Sequence, residues 1–274
     1  MRIIYLTYIL LYLALATTNC SKISPEPLDV SLEIQSSYDV FIIMGQSNTN
    51  SGKGLDPTVD YYPSSVFQFG RKFENNYQII PAVEPLDNHH RPYDQIGFAN
   101  QFSKLYAEQI LEEGRKLLLI PCGLGATSFY EGHWNKGDTL YTDAFERARH
   151  VLENTDSALK GILWHQGESD SPNRYYQNDL DEMIQNFRID IGSPNLPFLL
   201  GGLCPDWVDE KPEIRKRIDD IISSTPDRVD HTGFADPRNP SVIHTDPGEY
   251  VHYSAEDQRE MGERYFQAYK EILD

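Results

Sequence analysis

The sequence predicts an α/β protein: three layers, α/β/α, around a central and mostly parallel sheet. Three observations carry that expectation. Short apolar runs recur along the chain, stretches of helical period separate them, and a polar, glycine-rich segment follows most of the runs. Apolar strands alternating with amphipathic helices imply a parallel sheet covered on both faces, in the flavodoxin-like manner.

The elements follow in order. After Met1 and Arg2 comes an apolar run from Ile3 to Ala16, then "TTNCSK". The run is too short for the roughly 20 residues of a membrane-spanning helix and fits the apolar region of a secretory signal. Cys20 stands where cleavage would fall, and the segment resembles, loosely, the lipobox of bacterial lipoproteins, in which that cysteine carries the lipid. A plain signal peptide with an incidental cysteine is the alternative, and either exports the protein. Residues 21 to 36, with two prolines and no period, read as a tether. The expected organisation is therefore a lipoprotein-type signal peptide over 1–19, a tether over 20–36 and one domain over 37–274.

Within that domain, "YDVFIIM" (38–44), "KLLLI" (116–120), "LKGILWH" (159–165), "PFLLG" (197–201) and "VDHTGFA" (229–235) read as strands. Phe98, Phe102, Leu105 and Tyr106 share one helical face. So do Tyr141, Ala144, Phe145, Ala148, Val151 and Leu152, and again Leu180, Met183, Ile184 and Phe187. The last helix is expected to begin at Ser254, with Asp257 as its capping-box partner, and to run through Met261, Tyr265 and Tyr269.

Composition narrows the function. The chain has 274 residues, of which 39% are hydrophobic and 12% aromatic, enough for one well-buried domain. Its 42 acidic and 24 basic residues give a formal charge of −18, which repels nucleic acid and acidic bilayers at long range. No nucleic-acid partner is expected, and membrane contact only through a lipid on Cys20. No spacing of cysteines or histidines suits a metal, and no cofactor is expected. Besides Cys20 there are Cys122 and Cys204, each after an apolar run, so a disulfide and two buried thiols are both open readings.

The strand ends hold the chemistry. They read "GQSN", "CGLGATS", "QGESD" and "GLCPDW", and in an open parallel sheet ligands bind outside the carboxyl ends of the strands. Gly45 lets the chain bend after the first strand and presents Ser47 as a nucleophile, although a serine capping the next helix fits those four residues equally well. Gln166 offers a side-chain donor to an oxyanion, and Glu168 offers a carboxylate. His252 precedes the last helix.

These stretches together resemble the SGNH hydrolase superfamily, and within it the sialate O-acetylesterase-type domain shared by carbohydrate esterase family six. The similarity rests on "GQSN", "GLGATSFYEGHW", "WHQGESD" and a terminal histidine before a helix, in that order, over about residues 37 to 273. It implies a serine esterase that removes O-acetyl groups from carbohydrate, with Ser47 as nucleophile and His252 as general base. It also implies an oxyanion hole from the Ser47 N–H, an N–H of the turn around Gly125, and the Gln166 amide.

Two departures follow. The common pattern before the histidine is Asp-x-x-His, and this chain reads "EYVH", so Glu249 ranks first as the triad acid, Glu168 second and Asp246 third. Where the resembled family has a second glycine, this chain has Ala126, which would be strained at positive φ. Tyr61, Tyr62, Phe129, Tyr130, Trp134 and Trp207 are candidate stacking surfaces for sugar rings, with packing under loops as the alternative. Arg71, Lys72, His89, His90 and Arg91 are candidate partners of a sialic acid carboxylate. Sialic acid and xylan-type polysaccharide both remain open as substrates. The alternatives are a lipid esterase, which would call for an apolar lid that the loops lack, and a catalytically impaired glycan-binding surface lipoprotein.

Overall fold

The computed structural model describes residues 37–89 and 93–273. The signal segment, Cys20, the tether, His90 and Arg91 lie outside the described residues.

Strand β1 spans Ser37–Gly45 and β2 Gly52–Lys53; β3 spans Val66–Phe69, β4 Ile79–Pro81 and β5 Gln95–Ile96. Helix α1 (Ala99–Gln109), β6 (Arg115–Pro121), α2 (Thr139–Asn154) and β7 (Asp156–His165) follow. The chain ends with α3 (Tyr176–Asp190), β8 (Phe198–Gly201), α4 (Pro205–Glu210), α5 (Pro212–Ser223), β9 (Thr232–Ala235) and α6 (Ala255–Leu273).

Seven strands form one sheet in the order β4-β3-β6-β1-β7-β8-β9, in which only β4 is antiparallel. Strands β2 and β5 make a separate antiparallel pair. The central strand, β1, is apolar on both faces because helices cover both: Val40 to Met44 are fully buried. On one face Phe41 packs its ring edge-on against Phe102 and Tyr106 of α1 and Tyr269 of α6. On the other, α2 packs on β1, β6 and β7, and Tyr141 of α2 meets Phe187 of α3.

The expected strands and long helices are present with boundaries shifted by a few residues, and the Ser254 cap is reciprocal. Asp257 accepts the Ser254 N–H at 2.9 Å, and the Ser254 hydroxyl accepts the Asp257 N–H at 3.2 Å. Six elements were not legible. Strands β2 to β5 are two to four residues long, too short to show a period. Helices α4 and α5 each open on a proline, and α5 buries only Ile218 and Ile222 among charged residues.

The topology positions the site. From β1 the chain crosses to β3 and returns through β6 on one side, then continues through β7, β8 and β9 on the other. The connections diverge at the carboxyl end of β1, where the crevice of such a sheet lies. Ser47 begins the first turn after that end.

Candidate active site

Gly45 ends β1 at φ +122°, and a Cβ there would lie 2.0 Å from the His165 carbonyl oxygen at the end of β7. Only glycine allows this approach, and it brings the first and third motifs together. The turn is then tied to β7 by Gln46 N–H donating to His165 O at 2.8 Å. Ser47 opens a short 3-10 turn, Ser47–Thr49, and its Oγ lies 3.0 Å from His252 Nε2. The candidate nucleophile and the candidate base, 205 residues apart in the chain, are thus in hydrogen-bond contact.

The second motif lies alongside. Leu124 N–H donates to Gly45 O at 3.0 Å, and a Cβ on Gly125 would sit 3.5 Å from Ser47 Cβ. Among the described residues no acceptor takes the N–H of Ser47 or of Gly125. Both are free to donate to a developing oxyanion. Ala126 has φ +59°, in the left-handed region, which costs an alanine about 1–2 kcal/mol. Thr127 closes this turn on itself: its hydroxyl donates to Leu124 O at 2.8 Å and accepts Trp134 Nε1 at 3.0 Å.

Gln166 joins the same cluster, fully buried, with its amide already engaged. Its Nε2 donates to Thr127 O at 3.1 Å, to Asp170 Oδ2 at 2.7 Å and to Gln46 Oε1 at 3.3 Å. The residue not singled out from sequence is Asp170. Buried, it accepts the N–H groups of Phe129 (2.9 Å) and Tyr130 (3.1 Å) and the amide of Asn173 (3.0 Å), joining the second motif to the third. A lone aspartate after "QGES" carries no signal for that role beyond a turn cap.

The three candidate acids lie apart. Glu249 forms an ion pair with Lys53, both about half exposed, which holds its carboxyl below the usual range. Its backbone carbonyl accepts the His252 N–H at 2.8 Å. Asp246 contributes a backbone carbonyl to Glu249 N–H at 3.0 Å. Glu168 is buried; its Oε1 accepts Asn48 Nδ2 at 2.6 Å and lies 3.8 Å from His165 Nε2. Burial raises the Glu168 carboxyl to about 7 and lowers His165 to about 3. Among the described residues no carboxylate hydrogen-bonds the His252 ring. Its pKa lies below the ordinary histidine value because of burial first; Glu249 pulls it up and Lys53 pushes it down.

Of the aromatic candidates, Phe129, Trp134 and Trp207 are buried packing residues, whereas Tyr130 is 75% and Tyr61 61% exposed. The Arg71 side chain is only 6% exposed and is committed to Pro121 O (3.0 Å), Cys122 Sγ (3.2 Å) and Asp143 (2.7 Å). His89 lies 3.9 Å from the same aspartate, with its pKa lowered to about 4, mainly by burial. Cys122 and Cys204 are free buried thiols. Among the described residues no cluster suits a metal ion, and no helix is long and apolar enough to cross a membrane.

A serine at a strand-to-turn junction, a histidine in contact with it and unspent backbone donors alongside are the parts that ester hydrolysis requires. The sequence profile of the family described as carbohydrate esterase, sialic acid-specific acetylesterase, matches residues 37–271, and the chain belongs to that family. A "Probable carbohydrate esterase" of Arabidopsis thaliana is 29% identical over 108 residues, 38% of this chain. That match spans 40% of the plant protein. Among solved structures, NanS superposes with a TM-score of 0.73 at 17% identity, covering 87% of this chain and 98% of NanS. An Arabidopsis thaliana protein superposes at 0.70 with 22% identity, covering 86% and 99%. A carbohydrate acetylesterase from Xanthomonas citri gives 0.56 at 17% identity, covering 85% and 56%. At these identities the structures speak for the fold.

Proposed function

We propose that this chain removes O-acetyl groups from carbohydrate through an acyl-enzyme on Ser47. The observation that carries the reading is the 3.0 Å contact of Ser47 Oγ with His252 Nε2. His252 takes the hydroxyl proton as Oγ attacks the ester carbonyl, and returns it to the sugar oxygen as the C–O bond breaks. Water, deprotonated by the same nitrogen, then releases acetate and restores Ser47.

The tetrahedral oxyanion is met by the Ser47 and Gly125 N–H groups, each worth about 3 kcal/mol in comparable sites. Gln166 is the third candidate donor, and in that role exchanges one of its present acceptors for the substrate oxygen. Glu249 is the acid, acting on His252 through its field; Glu168 is the second candidate. The substrate class follows from family membership and from Tyr130, exposed five residues beyond Gly125 and anchored by its backbone to Asp170. Sialic acid and xylan-type polysaccharide are the two candidate carriers of the acetyl group. We also propose export as a lipoprotein anchored at Cys20, a reading supported by the sequence of residues 1–20.

The test is acetate release from para-nitrophenyl acetate and from acetylated sialic acid and xylan. Ser47→Ala is expected to lose about a thousandfold or more in kcat. Glu249→Gln is expected to cost more than Glu168→Gln, and Tyr130→Ala to raise KM on the glycan alone. Wild type no faster than Ser47→Ala on all three substrates would overturn the esterase reading. Metabolic labelling with a radioactive fatty acid, lost on Cys20→Ser, tests the anchor.

A further inference from the structure

The hydrogen bond between Ser47 and His252 joins two loops that share no strand, so something must set their separation. We infer that Asn48 is the positioning residue for His252: one buried amide, adjacent to the nucleophile, grips the histidine loop on both sides of the general base.

Asn48 is fully buried. Its Nδ2 donates to Val251 O at 2.9 Å, and its Oδ1 accepts the Tyr253 N–H at 3.1 Å. These are the residues immediately before and after His252. Its own carbonyl accepts Gln258 Nε2 of α6 at 2.9 Å, which ties the turn to the helix that follows the loop. Other supports of this loop include local backbone bonds, the exposed Lys53–Glu249 pair, Thr245 N–H on Asp206 at 2.7 Å, the Tyr250 hydroxyl on Glu210 at 3.3 Å, and Tyr253, whose hydroxyl donates to Gly202 O at 3.1 Å and whose ring meets His165. None of these bonds a residue of the Ser47–Thr49 turn.

The chemistry demands an amide. A carbonyl on one side and an N–H on the other call for a side chain that donates from one atom and accepts on its neighbour. Aspartate lacks the donor, leucine lacks both, and glutamine is one methylene too long. An amide can also be turned end for end, and the two backbone groups settle the choice: Val251 O can only accept and Tyr253 N–H can only donate, so the nitrogen faces Val251 and the oxygen faces Tyr253, and Glu168 Oε1 accepts the second Nδ2 hydrogen at 2.6 Å. Glu168 thereby acts on His252 through Asn48 and without touching the ring.

This inference rests on the Ser47–His252 reading, and the experiment separates the two. Wild type, Ser47→Ala, Asn48→Ala, Asn48→Asp and the double variant Asn48→Asp with Glu168→Gln are compared for kcat and KM on para-nitrophenyl acetate. Labelling of Ser47 by a fluorophosphonate and a thermal melt by circular dichroism accompany them. The single Asn48 variants are expected to fold and to lose about a hundredfold in kcat and in labelling rate, with KM little changed, as a displacement near 1 Å does. In the double variant the amide introduced at position 168 donates to the carboxylate introduced at position 48. That carboxylate still accepts the Tyr253 N–H, and at least about a tenth of the lost rate is expected back. Folded Asn48→Ala with wild-type kcat, or a double variant slower than Asn48→Asp, would overturn the inference while leaving the esterase reading intact. Wild type matching Ser47→Ala would overturn both.

Discussion

The Ser47 turn and the His252 loop meet in one hydrogen bond, yet they are held differently. The turn is continuous with β1, whose residues Val40 to Met44 are fully buried at the centre of the sheet, and Gly45 is pressed against the backbone of β7. Backbone bonds tie it to the sheet, Gln46 N–H to His165 O and Leu124 N–H to Gly45 O, and buried side chains add to them, among them Thr49 Oγ1 on Gln46 O. The histidine loop, in the long connection from β9 to α6, is half exposed and leans on side chains: Asn48 beneath it, and Lys53 with Glu249 at its surface. Ser47 is therefore placed by the fold as a whole, and His252 by a few replaceable groups. Substitutions that disturb the backbone of the first region should act on folding, and those among the side chains that hold the second on rate and pH dependence.

The largest expected effect breaks the rigid half. Gly45→Ala sets a methyl 2.0 Å from His165 O and holds alanine at φ +122°, a cost of about 3 kcal/mol or more. A thermal melt should show severe destabilisation or no soluble protein. A variant that melts like wild type would mean that the two strand ends are not in contact.

Glu168, buried where the two regions join, comes next. Its carboxyl binds a proton more tightly in the folded chain, at about 7, than at the ordinary 4.5. The stability this gives is complete below 4.5 and is lost as pH rises through 7. That loss is on the order of 3 kcal/mol at full ionisation. His165, lowered to about 3, has the opposite sign, destabilising the fold as pH falls below 6.5. Comparison with Glu168→Gln isolates the first effect: the Tm of the variant should gain on wild type between pH 5 and pH 8. Parallel Tm curves would show Glu168 to be an ordinary carboxylate.

A smaller gain is expected at Ala126. Replacement by glycine relieves the left-handed backbone and should raise stability by about 1 kcal/mol, less the added freedom of glycine in the unfolded chain. Differential scanning calorimetry decides it, since a lowered Tm would place that residue outside the left-handed region.

The subtlest prediction sharpens the view of the exposed half. The acid limb of kcat/KM should lie below the ordinary histidine pKa, because burial disfavours the His252 cation. Glu249→Gln removes a carboxylate that favours that cation and should move the limb lower. Lys53→Met removes a cation that opposes it and should move the limb higher. Both shifts should shrink in high salt, since both side chains are about half exposed. Shifts of the same sign in the two variants would refute a field acting from this pair.

How much of this was legible follows the same divide. Strand β1, the bend at Gly45 and the cap at Ser254 could be read from neighbouring residues, because strand period, glycine geometry and capping are local physics. So could the four motifs, each a polar segment at a strand end. Short strands such as β3 and the charged helix α5 could not, since three or four residues show no period and a helix with two buried residues has scarcely a face.

By itself, then, the sequence determined the layered α/β architecture, the serine, histidine and glutamine to watch, and the glycine-rich turns that let backbones approach. Only the tertiary structure decided which groups touch. It set Ser47 against His252 and turned the Gln166 amide onto Asp170 and Thr127. It paired Glu249 with Lys53, and it put Asn48 between Glu168 and the loop that carries His252. The reason is range. Conformational preference acts over a few residues, whereas a hydrogen bond between residues 48 and 253 exists only once the sheet has brought those two loops to one edge.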